Sequence, residues 1–133
     1  MLLRRVLRPV AAGVLVVGLT AFAPPQGDEL GALSGITRGQ WLLRDDDGST
    51  QKLCVRNPAM LIQLRHPNAT CSRVKMPDDT GAVVMRYNCP GHGYGRTRVV
   101  VETPRLLRLE TSGIADGAPF SSEIEGRYVG ECN

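Results

Sequence analysis

The feature that most constrains this chain is the run from Cys71 to Cys89, CSRVKMPDDTGAVVMRYNC. Two strand-like halves flank an Asp78-Asp79-Thr80-Gly81 turn, and a cysteine closes each outer end. With the hairpin centred on Thr80, Cys71 falls opposite Cys89, within reach of a cross-strand disulfide if that register holds. Four cysteines allow three pairings, and on this register Cys54 is left to join Cys132. Chain-entropy reasoning values the shorter loop at about 3 kcal/mol and the longer at about 4.5 kcal/mol. Zinc is the rival use of four cysteines. Structural zinc asks for close pairs such as C-x-x-C, and none occurs, so no metal site is expected.

The N-terminus reads as an export signal. Residues 1–8 carry Arg4, Arg5 and Arg8, residues 10–22 are apolar, and Ala21-Phe22-Ala23 ends the run. A retained anchor is the competitor, but the run is short for a bilayer core that needs about 20 residues. No cysteine follows at once, which argues against a lipid anchor. The reading is a signal peptide over 1–23, a disordered Pro/Gly/acid-rich leader over 24–35 and one domain over 36–133, periplasmic or secreted and bacterial, with no membrane span once the signal is removed. The chain has 16 Lys+Arg against 13 Asp+Glu, and removing the three signal arginines leaves 13 against 13. The global cationic excess that nucleic-acid binders need is therefore absent.

Beyond the leader, alternating runs predict extended structure. Gly39-Gln40-Trp41-Leu42-Leu43-Arg44 forms a strand that stops at Asp45-Asp46-Asp47-Gly48, and residues 51–56 resume it. Asn57 and Pro58 then open a short helix over 57–65, the one helix expected, with Asn57 as its cap and Leu61 and Leu64 three apart. After the hairpin, residues 90–95 are read as a glycine-dense connection, 96–103 and 105–111 as strands, 113–119 as a turn and 121–132 as the last strand. The fold class is mainly β: a single antiparallel, curled or partly closed sheet of about seven strands with one short helix and two disulfides.

Several short motifs, Gly39-x-Trp41, Cys54-Val55 before a proline-containing helix, Cys71-Ser72, Tyr87-x-Cys89 and the ending Gly126-Arg127-Tyr128-Val129-Gly130-Glu131-Cys132, resemble the small exported bacterial proteins of domain-of-unknown-function family 3617. The resemblance implies an envelope location, two disulfide bridges and no established activity.

Chemistry-bearing residues are few. His66 and His92 are the only histidines, and His92 lies in Gly91-His92-Gly93-Tyr94-Gly95-Arg96, where open backbone presents an imidazole near a phenol and a guanidinium. A hydrolase centred there needs Ser121 or Ser122 as nucleophile and a carboxylate such as Asp116, and no G-x-S-x-G elbow supports it. The bland alternative is a glycine-rich hairpin loop with a solvated histidine. The same glycines lack the Gly-Lys-Ser/Thr of a phosphate loop. Arg86, Arg96, Arg98, Arg105 and Arg108 lie among Glu102 and Glu110 at strand spacing, which suits cross-strand charge pairing on a wet face and, alternatively, a local anion site. The acidic turn at Asp45 lacks the ligand spacing of a calcium loop. The expectation is a non-enzymatic structural or binding module for a protein or anionic component of the cell envelope, needing no cofactor. Its candidate binding residues are His92, Tyr94, Arg96, Arg98 and Arg108. A small hydrolase and an inhibitor of an envelope enzyme are the alternatives.

Overall fold

A computed structural model describes residues 29–133, so the expected export signal and the first part of the leader lie outside the described residues. Seven strands build one antiparallel sheet: β1 (Gly39–Asp45), β2 (Thr50–Val55), β3 (Ser72–Met76), β4 (Val83–Cys89), β5 (Gly93–Thr103), β6 (Leu106–Ala115) and β7 (Ala118–Gly130). Strands β3 to β7 form a meander, β1 adds to β7, and β2 adds to β1, giving the order β2-β1-β7-β6-β5-β4-β3. The sheet curls without closing, and β2 and β3 are its two edges. Gln51 and Leu53 from one edge and Arg73 from the other line a common groove of about 450 Å³, with part of the connection 56–71 forming its floor.

Alternation decides what goes inside. Trp41 and Leu43 on β1, Met85 and Tyr87 on β4, Thr97 and Val99 on β5, Leu107 and Leu109 on β6 and Ile124 on β7 are buried, while the residues between them face outward or lie half-covered. The 56–71 connection closes this inner face with fully buried Leu61 and Ile62. Trp41 lies edge-on to Tyr128 and donates its indole N–H to the Thr37 carbonyl (2.9 Å), so its one polar atom is satisfied.

The hairpin register places Ser72 opposite Asn88 and Val74 opposite Arg86, which continues outward to Cys71 opposite Cys89. Cys71–Cys89 and Cys54–Cys132 are both bonded, with Cα–Cα separations of 4.2 and 5.6 Å. The first holds an edge strand to its neighbour. The second ties β2 to the chain just past β7, across β1, where Gln40 pairs with both Cys54 and Gly130. Two such bridges fit an oxidising setting outside the cytoplasm. Among the described residues no helix is long and apolar enough to cross a membrane.

Four local expectations are corrected. The helix over 57–65 is only a 3-10 turn at Pro58–Leu61 followed by further turns, although Asn57 caps it as expected by accepting the Ala59 N–H at 3.0 Å. No α-helical ladder follows it: the His66 N–H bonds three residues back to Gln63, not four back to Ile62, whose carbonyl accepts from the Thr97 hydroxyl (2.6 Å). The described end of the leader is not disordered: Gly31–Gly35 is a second 3-10 helix whose Leu33 is fully buried in the core. The glycine connection shrinks, since β5 already starts at Gly93. The turn over 113–119 narrows to Asp116-Gly117, because β6 runs to Ala115 and β7 begins at Ala118.

Candidate functional site

The outward side chains of β3 to β6 form a grid set by the register. One row runs Ser72, Asn88, Tyr94, Ile114, and the next runs Val74, Arg86, Arg96, Ser112. All of them but Ile114 line an open depression of about 560 Å³, whose lining Tyr87, Gly95 and Gly113 complete. Tyr94 is 57% exposed and Val74 63%, both unusually bare for large apolar groups on a sheet.

Electrostatics singles out the centre of this grid. Arg98 faces Glu110 across the strand pair, lies 3.6 Å from the Asp78 carboxylate and 4.0 Å from that of Glu110, and donates to the Thr80 hydroxyl. Arg108 meets Glu102 at 3.0 Å, and Arg127 meets Glu125 at 2.7 Å. The Arg127 guanidinium holds the Glu125 carboxyl below its ordinary range, as hydrogen bonds from Thr80 do for Asp78. Arg105, in the β5–β6 turn, stacks over the Tyr128 ring at 5.3 Å. Arg86 and Arg96 are different: they stand directly opposite each other, both exposed, and neither has an acidic partner among the described residues. Like charges opposite one another weaken a sheet, so this pair is a local cost with no internal compensation. Of the five candidate binding residues, then, Tyr94 and Arg96 lie in the depression, while Arg98 and Arg108 are spent on carboxylates. Sequence reasoning left out Asn88, which period-two alternation from Arg86 would have added, and Ser72 and Ser112, which only the cross-strand register brings to this face.

His92 sits at the β4–β5 turn with its side chain 59% exposed, and its Nδ1 is 3.7 Å from the still more open Asp116 carboxylate. Asp116 adopts a left-handed φ of 48° in its tight turn, and its N–H bonds the His92 carbonyl. No serine joins them. Ser121 points outward opposite Ser112, and buried Ser122 accepts from Arg65 (3.1 Å) inside the sheet. Among the described residues neither serine shares a hydrogen bond with His92 or Asp116.

The buried histidine is the one the sequence did not single out. His66 is 4% exposed, and its Nε2 lies 3.1 and 3.0 Å from the carbonyls of His92 and Ile114. Carbonyls only accept, so Nε2 carries the proton; in the neutral ring Nδ1 then accepts from the Tyr87 hydroxyl at 3.1 Å. Burial raises the Tyr87 phenol above its ordinary pKa, keeping it a donor. Nearby, Thr97 commits its only hydroxyl proton to Ile62, so Thr111 must donate to Thr97 (2.9 Å). These bonds fasten the 56–71 connection to β4, β5 and β6 from within. They also explain the glycines: a Cβ at Gly93, whose φ is 116°, would collide with the Ile114 carbonyl, and one at Gly95 would lie 2.5 Å from the Tyr87 hydroxyl.

At the other end of the sheet, Asp45, Asp47 and Arg65 border a cavity of about 440 Å³. Burial raises the Asp45 carboxyl, whereas hydrogen bonds from Ser49 lower that of Asp47. The acidic turn uses its oxygens on its own backbone, with Asp45 Oδ1 accepting from Asp46 and Asp47 Oδ1 from Ser49.

Compared with family models, curated proteins and solved structures, the chain finds no match.

Proposed function

We propose that this chain is an exported bacterial envelope protein, periplasmic or secreted, that acts without catalysis as a binding module for an anionic envelope component. Membership of the exported family it resembles belongs to the same proposal. The observation that carries it is the unopposed Arg86–Arg96 pair on a face where the neighbouring Arg98, Arg108 and Arg127 each have a carboxylate. A pair of guanidinium groups with free donors is the arrangement that accepts an oxyanion, each group offering two parallel N–H bonds. The sheet beneath is held by two disulfides, so the pair is presented on a rigid surface.

Retention of the oxidised protein on carboxylate-, phosphate- and sulfate-bearing resins, against an uncharged resin, tests this reading. Retention on at least one anionic resin is expected, falling with added salt and lost in the Arg86→Ala/Arg96→Ala form while Arg98→Ala keeps it. Equal retention of all three forms would sink the assignment.

A further inference from the structure

We infer that the ligand of this face is an acidic saccharide, with a sugar ring laid against Tyr94 and its carboxylate held by Arg86 and Arg96; this rests on the anion-site reading above. Tyr94 is a flat ring, 57% exposed, two positions along β5 from Arg96 and on the same outward face. The face of an aromatic ring carries negative charge density and attracts the polarised C–H groups that line one side of a pyranose. Asn88 stands opposite Tyr94 and Ser112 opposite Arg96, so an amide and a hydroxyl flank the ring and the guanidinium pair, placed to exchange hydrogen bonds with sugar hydroxyls. The depression, about 560 Å³ and open, fits one or two sugar units of a longer chain passing over it.

Two other anionic partners suit the face less well. A peptide recognised by a sheet adds as a strand and uses free main-chain groups, but the centre of this patch lies on β4 and β5, each paired on both sides. An anionic membrane is recognised by about four to eight clustered cations, and this patch offers two.

Calorimetric titration of the full oxidised protein with de-esterified oligogalacturonate, its methyl ester, and phosphatidylglycerol vesicles decides the matter. Expected are binding of the acid form, at least about tenfold weaker binding of the ester, loss of binding in Arg86→Ala/Arg96→Ala, and at least about fivefold weakening in Tyr94→Ala with Tyr94→Phe within about twofold of the parent. All three positions are exposed, so the variants keep the fold. Vesicles bound through the arginines while the oligosaccharide is ignored overturn the saccharide inference and leave the anion site standing. Oligosaccharide binding indifferent to Tyr94→Ala does the same. Failure to bind any of the anions overturns both.

Discussion

His66 and His92 touch, the ring of the first lying 3.1 Å from the carbonyl of the second, yet they occupy opposite physical situations. His66 is buried with every ring nitrogen satisfied, by Tyr87 on one side and two carbonyls on the other, and its ring lies edge-on to Tyr87 and Phe120. His92 contributes its backbone to that arrangement and leaves its imidazole in water beside Asp116. A glycine-rich setting made His92 look like the chemically interesting residue. Two of the glycines serve the packing around the other one, since a Cβ at Gly95 would meet the Tyr87 hydroxyl and one at Gly93 the Ile114 carbonyl and then the His66 ring. What distinguishes a working histidine from a decorative one is therefore its partner count, and each substitution below tests that difference.

The largest effect is expected from His66→Ala. It opens a void between the 56–71 connection and the sheet, and it removes the acceptor of the buried Tyr87 hydroxyl. Large-to-small core substitutions cost about 2–5 kcal/mol, and an orphaned buried polar group about 1–3 kcal/mol. A loss of about 3 kcal/mol should appear as a lower midpoint in urea with both disulfides intact. A loss below about 1 kcal/mol would mean that the connection is held by Leu61 and Ile62 alone.

Tyr87→Phe comes next, because it keeps the ring and deletes only the hydroxyl. It should cost about 1–2 kcal/mol, the His66 nitrogen being left without its donor. Combined with His66→Ala in a double-mutant cycle, the two effects should fall short of additivity by at least about 0.5 kcal/mol. Strict additivity would show that the 3.1 Å contact does not couple the two residues in solution.

Much of the frame was readable before any coordinates. The Cys71–Cys89 register followed from the symmetry of two strand halves about Thr80, and a single antiparallel sheet of seven strands followed from the alternating runs. Boundaries were harder at glycines. Gly93 and Gly95 are poor strand formers in isolation and belong to β5 only because its partners β4 and β6 and the buried histidine demand a bare backbone there. The helix over 57–65 had a cap and a proline in the right places, but the segment docks on the sheet through groups distant in sequence, such as the Thr97 hydroxyl on the Ile62 carbonyl, which local pattern does not show. Leu33 looked like part of a polar leader because its burial depends wholly on long-range packing. The candidate site was half visible for a similar reason. Arginines at strand spacing marked the face, while knowing which were free required the positions of Asp78, Glu102 and Glu110.

The smallest effect should come from His92→Ala. Among the described residues its one charged neighbour is Asp116, at 3.7 Å, with both side chains more than half exposed, and even a fully charged pair so exposed contributes about 0–1 kcal/mol. The turn itself is held by backbone bonds that alanine retains, from the His92 N–H to the Cys89 carbonyl (2.8 Å) and from Asp116 to the His92 carbonyl (3.0 Å). A change in the urea midpoint corresponding to less than about 0.5 kcal/mol is expected, as for ordinary surface substitutions. Because the His92 side chain stands outside the Arg86–Arg96–Tyr94 depression, binding of the anion should be equally unmoved. If His92→Ala weakened binding as much as Arg96→Ala does, the recognition surface would have to extend around the β4–β5 turn, and the contrast between the two histidines would no longer separate a structural residue from a bystander.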